Sequence, residues 1–174
     1  MQTLVGIPLE MVHKVWRIAV IYLTAVVFGA LLQYVADPSV YLVGCSAGVY
    51  SLIFAHFANV VINWAEMPYR IVRLCVLVLY VTLDVGFAVH RRLQSNTCDR
   101  VSYTSHIAGA VTGLTLGIAL LYNIKEHQFE KIIKYLCIAT FFGALLFCIT
   151  MTIFKSPFSA PIFDVNRCYE ESNL

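Results

Sequence analysis

Charged residues are scarce in this sequence. Of its 174 residues only 13% are Asp, Glu, Lys or Arg, whereas 60% are hydrophobic. A soluble domain carries about 25% charged residues, so this composition excludes an ordinary soluble protein and indicates a chain that lies mostly in lipid. The formal net charge is only +2, and no block of like charge occurs. We therefore predict no surface for nucleic acid.

The sequence also lacks the cysteine spacing of a structural metal site. None of its six cysteines forms a Cys-x-x-Cys pair, so a zinc site is not expected. Cys98 and Cys168 lie in polar segments and are candidates for a disulfide if both face an oxidising compartment. No cleavable signal peptide is visible, because the first apolar run reaches only to Leu9.

Long apolar runs make up most of the chain. A spanning helix requires about 20 residues. Five runs come close to that length, at residues 18–35, 43–64, 71–89, 106–122 and 132–154. Residues 1–9 are too few to span. The predicted fold class is an all-α polytopic membrane helix bundle, with five full spans plus an N-terminal partial span.

Lysine and arginine predict the orientation of this bundle. Seven of them fall on the side that holds the connection after residue 64, and five fall on the other side. Because cytosolic segments carry the excess of positive charge, the first side is predicted to be cytosolic. Ser46 and His106 then lie at the non-cytosolic ends of their helices.

Two of the predicted helices begin with residues suited to hydrolysis. Ser46 lies at the start of one helix and His106 at the start of another. A serine hydroxyl becomes a nucleophile when a base takes its proton, and neutral histidine can do so near physiological pH. Unpaired N–H groups at a helix start suit a tetrahedral oxyanion. Tyr50 lies one turn after Ser46, about 40° around the helix, where its ring could stack on the imidazole.

Small residues on both helices favour close packing. Three glycines share one face of the histidine helix: Gly109, Gly113 and Gly117. The serine helix has a stripe of its own: Gly48, Ser51 and Ala55. Such stripes let helices approach closely, and if the two helices are neighbours, Ser46 and His106 meet. No carboxylate is placed as a third member, so the prediction is a Ser-His dyad. The alternative is that these small residues serve packing alone.

Five stretches carry a resemblance to a known family. They are residues 6–13 (GIPLEMVH), 43–50 (VGCSAGVY), 58–64 (ANVVINW), 83–88 (LDVGFA) and 105–109 (SHIAG). At these stretches the sequence resembles the rhomboid family of intramembrane serine proteases, most closely its animal secretory-pathway branch. The similarity runs from the first residues to about Phe154, and five motifs in one order make it specific.

The resemblance implies an intramembrane serine endopeptidase. Ser46 would be the nucleophile, His106 the general base and acid, and Tyr50 the ring packed against the histidine. Gly44 and Cys45, with the backbone of Ser46, would support the oxyanion hole. No metal or cofactor is expected. The expected substrates are single-span membrane proteins cut near the non-cytosolic end of their helix. The expected location is the secretory pathway, in the Golgi, plasma membrane or endosome.

One family motif falls outside the sequence. Rhomboids carry a His-x-x-x-Asn motif on the helix before Glu10, and its side chains help to hold the oxyanion. Counting back from Gly6 and Glu10 places it just upstream of Met1. Residues 1–156 are therefore expected to form a rhomboid-like membrane domain without its first helix and the start of its second, followed by a short non-cytosolic tail at 157–174. The alternative function is a truncated, inactive rhomboid-like protein that binds membrane clients without cutting.

Polar residues inside the predicted helices leave further alternatives open. Asp84 is expected to face the bundle, either as a structural polar lock or as part of a proton relay. His56 and Asn59 are candidate ligands, or hydrogen-bonding residues between helices near the cytosolic half. A third interpretation of the whole chain is a transporter or structural bundle, in which Ser46→Ala and His106→Ala would leave function unchanged.

Overall fold

A computed structural model describes residues 2–36, 45–93, 103–125 and 128–154. The elements in these ranges are helices, as the sequence predicted. In chain order they are α1 (Gln2–Val12), α2 (Val15–Ala36), α3 (Ser46–Ile62), α4 (Arg70–Leu93), α5 (Tyr103–Leu120) and α6 (Gln128–Phe154).

The number of long apolar helices differs from the prediction of five full spans plus a partial one. Within the described ranges, three helices are long and apolar enough to cross a membrane: α2, residues 70–90 of α4, and α6. The helix α3 has 17 residues, about 26 Å at 1.5 Å per residue, which is short of the hydrocarbon thickness of about 30 Å. The helix α5 has 18 residues, among them a histidine, a serine and three threonines. The 11-residue α1 is too short to span, as expected.

The centre of the fold is the pair α3 and α5, which pack backbone against backbone. A Cβ atom at Gly109 would overlap the carbonyl of Ala47, and one at Gly113 would overlap the carbonyl of Ser51. Gly109 meets Ala47 and Gly113 meets Ser51, so residue numbers increase in the same direction along both helices. The two helices therefore run parallel. This confirms that the glycine face of α5 packs on the serine helix. Gly48 instead faces the ring of Tyr22 on α2.

The helices α2 and α6 complete the packed core beside this pair. The rings of Phe28 on α2 and Phe141 on α6 meet edge to face, with centroids 5.6 Å apart. Residues Ile18, Ile21, Ala25 and Phe28 are buried, and their spacing of three or four places them on one helical face. The opposite faces carry exposed apolar side chains, which suits a lipid environment.

Side chains from distant segments hold the C-terminal end of α5. The last carbonyls of a helix have no intrahelical partner. Arg17 donates from Nη1 to the carbonyl of Leu120 at 2.7 Å, and the Asn63 amide donates to the carbonyl of Tyr122 at 3.0 Å. The N–H of Tyr122 donates to Nδ1 of His13 at 3.0 Å. The end of α5 opposite His106 is therefore fixed to α2, to the α1–α2 connection and to the end of α3.

His56 makes the predicted contact between helices. Its Nε2 lies 2.8 Å from the carbonyl oxygen of Val5 on α1. The side-chain oxygen of Asn59 accepts a hydrogen bond from Asn63, one turn further along the same segment, at 2.9 Å, and its side chain also interacts with His13 in the connection between α1 and α2. His56 thus ties α1 to α3, and Asn59 supports the end of α3.

Candidate active site

Ser46 is the first residue of α3 and is half-buried. Cys45 occupies the N-cap position, and no side chain among the described residues caps the helix. The first N–H groups of α3 therefore have no intrahelical acceptor and point out of the helix start, beside the serine hydroxyl. Such groups, with the positive end of the helix dipole, favour a negative charge. Gly44 lies outside the described residues, so its role in the oxyanion hole stays a prediction.

Cys45 is exposed, and its side chain contacts α1. Its Sγ lies 3.7 Å from Oε1 of Gln2, and its carbonyl accepts the N–H of Val49 at 3.0 Å. This backbone hydrogen bond closes the first turn of α3. The supporting role of Cys45 in the oxyanion hole stays a prediction.

His106 lies in the first turn of α5, between two tyrosine rings. Its imidazole stacks on the ring of Tyr50, with centroids 4.3 Å apart and planes inclined by 15°. The ring of Tyr103 meets it edge-on, with centroids 6.4 Å apart and planes inclined by 78°. The expected contact between Tyr50 and His106 is therefore present, and the imidazole is confined from two directions.

The packing of α5 on α3 brings the starts of the two helices together. Ala47, next to Ser46, lies against Gly109, three residues after His106. Among the described residues no hydrogen bond joins Ser46 to His106. Catalytic hydrogen bonds in a resting enzyme are often long and tighten when substrate binds, so the lack of this bond does not argue against a pairing of the two residues.

Asp84 of α4 faces the bundle, as predicted, and is hydrogen-bonded. The hydroxyl of Tyr50 donates to Oδ2 of Asp84. One turn further along α4, the carbonyl of Ala88 accepts from the hydroxyl of Tyr103 at 3.3 Å. Sequence reasoning singled out Asp84 but missed its partner, and it missed Tyr103 altogether. The signal for Tyr103 was its position three residues before His106, on the same helical face.

A separate apolar cleft of about 590 Å³ lies between α1, α3 and α4. It begins on α3 at Ile53, two turns beyond Ser46, and reaches Val60. His56 and Arg73 add polar groups to its wall. Because it lies away from the start of α3, we assign it no part in the chemistry at Ser46.

Comparison with known proteins agrees with this arrangement. The family model described as Rhomboid domain matches residues 1–123. The chain belongs to the rhomboid family. The resemblance seen in the five sequence stretches is thereby confirmed. The family and the long apolar helices together indicate a membrane protein.

Individual rhomboid relatives come from several animals. Rhomboid-related protein 1 of Caenorhabditis elegans is 53% identical over 167 residues, which cover 96% of this chain and 47% of that protein. Rhomboid-related protein 2 of Mus musculus is 40% identical over 161 residues, covering 90% of this chain and 53% of that protein. Inactive rhomboid-related protein 2 of Caenorhabditis elegans is 36% identical over 152 residues, covering 86% and 43%. The chain spans about half the length of these curated relatives.

Proposed function

We propose that this rhomboid is an intramembrane serine endopeptidase with a Ser46–His106 dyad. The observation that carries the proposal is the stacking of Tyr50 on His106, at 4.3 Å between ring centroids, beside the start of α3 that presents Ser46. A histidine in a membrane-embedded bundle is a functional candidate by default. Its placement next to a serine at an uncapped helix start favours acyl transfer.

The proposed reaction uses Ser46, His106 and the start of α3, with water as the second reactant. Ser46 Oγ attacks the carbonyl carbon of the scissile bond, and its proton passes to His106. The oxyanion that forms is held by N–H groups at the start of α3. The C–N bond breaks as His106 returns the proton to the leaving amine. Water then attacks the acyl ester with His106 again as base, which releases the acid and restores the serine.

The proposed substrates are single-span membrane proteins cut near the non-cytosolic end of their helix. An intact helix hides its carbonyls in its own hydrogen bonds, so cleavage requires a segment that unwinds. The proposed location is the secretory pathway.

The test is release of a tagged single-span ectodomain in cells that co-express this chain. We expect release by the parent and loss of release in Ser46→Ala and in His106→Ala at equal expression. Thr115→Ala is a matched control, because its hydroxyl bonds within its own helix, to the carbonyl of Val111 at 2.7 Å. Release by Ser46→Ala, or none by a folded parent, would contradict the proposal. Recovery of uncut substrate with that parent would then favour binding without cleavage.

A further inference from the structure

The helix α4 turns a single stripe of residues towards the rest of the protein. Among the described side chains of α4, the partly buried ones follow one register along the helix: Arg70, Leu74, Leu77, Tyr80, Val81, Asp84 and Ala88. None of the apolar span of α4 is fully buried. Asp84 is the only acidic residue of this helix, and it lies within the contacting stripe rather than on the exposed face.

The hydroxyl groups of both tyrosines beside His106 bind residues of that stripe. Tyr50, whose ring stacks on the imidazole, donates its hydroxyl to the Asp84 carboxyl group. Tyr103, whose ring edge faces the imidazole, donates its hydroxyl to the carbonyl of Ala88. The two anchors lie four residues apart, one turn of α4. The rings that confine His106 are thus held at their far ends by a third helix.

We propose that Asp84 is a positioning residue for His106 and acts through the hydroxyl of Tyr50, an inference that rests on the proposed function of the dyad. A tyrosine ring bound at its hydroxyl cannot swing about its side-chain torsions. The imidazole stacked on it then keeps the orientation that proton transfer from Ser46 requires. A misplacement of about 1 Å at such a group can cost about 100-fold in rate.

Asp84 is costly to keep in an apolar helix, which argues for a purpose. A carboxylate inside a membrane helix carries an insertion cost that an apolar side chain does not. Leucine at this position would remove that cost and would resemble the apolar residues on the exposed face of α4. Among the described residues, the hydrogen-bond partner of the Asp84 carboxyl group is the phenol of Tyr50 and not a basic side chain, so this contact serves the neighbour of His106.

The experiment measures the reaction of Ser46 with a fluorophosphonate probe on the full 174-residue chain in detergent. In this reaction the Oγ–P bond forms, the P–F bond breaks, fluoride leaves and the hydroxyl proton passes to His106. No natural substrate is needed. Varying the probe concentration separates its initial binding from the rate constant of the covalent step, and thermal unfolding of each variant reports folding.

We expect Asp84→Leu to lower the covalent rate constant about 10-fold without changing initial binding, because hydrogen bonds to charged groups are the stronger ones. Tyr50→Phe removes the same bond from the other side and should match it. The double variant should be no slower than either single variant, since both act through one contact. Asp84→Asn keeps an acceptor oxygen and should stay within about threefold of the parent.

Two variants serve as controls. Thr82→Val removes a hydroxyl from the exposed face of the same helix, and Val85→Leu changes an exposed residue beside Asp84. Both should react like the parent. If Asp84→Leu does not fold, Asp84→Ala removes the same acceptor.

Three outcomes would overturn the inference and leave the proposed dyad intact. A folded Asp84→Leu that reacts at the parent rate would show that the carboxyl group does not position the histidine. A double variant slower by the product of the two single effects would show that Asp84 acts elsewhere than through Tyr50. Reduced labelling amplitude with an unchanged rate constant would assign Asp84 to folding alone. No reaction by the folded parent would instead reject the dyad itself, and the inference with it.

Discussion

Gly113 of α5 lies directly on the backbone of Ser51 in α3. A Cβ atom added at Gly113 would overlap the carbonyl oxygen of Ser51 and would lie 2.7 Å from its Cα. No side chain separates the two helices at this point. Since α3 carries Ser46 and α5 carries His106, the distance between the two proposed catalytic groups depends on how closely these backbones approach.

The first prediction concerns this contact. Gly113→Ala should destabilise the protein by about 1–3 kcal/mol, because overpacking of a tight contact forces the backbone to shift. The shift moves α5 away from α3, so fluorophosphonate labelling of Ser46 should also fall. Gly143→Ala on α6 is the control, because a Cβ there meets nothing within 4 Å. Its stability should be equal or higher, since alanine favours helix. Thermal unfolding in detergent measures both, and equal unfolding temperatures would refute close packing at Gly113.

The second prediction separates the ring of Tyr50 from its hydroxyl. Tyr50→Phe keeps the stack on His106 and loses the bond to Asp84. Tyr50→Leu loses both. Because an aromatic pair contributes about 0.5–1.5 kcal/mol beyond its buried area, the leucine variant should react about 2- to 10-fold more slowly than the phenylalanine variant. The covalent rate constant of labelling is the measurement. Equal rates for the two variants would mean that the stacking does not orient the imidazole.

Several features of the fold could be predicted because they repeat with the period of a helix. Gly109 and Gly113 lie four residues apart, and this spacing alone placed them on one face ready for a close neighbour. Tyr50 lies four residues after Ser46, so its ring had to lie one turn below the serine. The approximate positions of most helices could be predicted from the long apolar runs. In each case the relevant neighbours are close in sequence.

Contacts between distant segments could not be predicted in the same way. Asp84 was recognised as a residue that must find a partner, but which tyrosine it meets depends on the register of α4 against α3. The fixing of Tyr122 by His13 joins segments 109 residues apart. The number of long spans was overestimated because α3 has only 17 residues and α5 has only 18, several of them polar. Register between helices is set by packing and not by any one segment.

The third prediction concerns Asn63, which satisfies three groups at once. Its amide donates to Oδ1 of Asn59 at 2.9 Å and to the carbonyl of Tyr122, and its Oδ1 accepts the N–H of Ile124 at 2.9 Å. Asn63→Leu should cost about 2–4 kcal/mol, since each buried group left unpaired costs about 1–3 kcal/mol. Lys125→Met is the control. It breaks an exposed ion pair with Glu66 at 3.9 Å, and exposed pairs contribute about 0–1 kcal/mol. Equal losses in the two variants would contradict this assignment.

The fourth prediction is a pH dependence of stability from His13, in the connection between α1 and α2. Burial lowers the pKa of His13 below its ordinary value, the charge of Arg17 acts in the same direction, and the Asn59 side chain partly opposes them. The unfolded chain therefore takes up the proton first as the pH falls through about 6.5. Because the unfolded state binds more protons in this window, stability is full above about pH 6.5 and decreases as the pH falls towards the folded pKa.

The hydrogen bond of His13 also predicts that stability decreases as the pH falls. Its Nδ1 accepts the N–H of Tyr122 at 3.0 Å, and a protonated ring would place N–H against N–H. His13→Asn keeps an acceptor oxygen near this position but cannot titrate. Thermal unfolding from about pH 8 to about pH 5 should show a smaller loss of stability in His13→Asn than in the parent. Other titrating groups are common to both proteins, so the difference between the two curves isolates His13. Parallel curves would show that the end of α5 does not depend on a neutral His13.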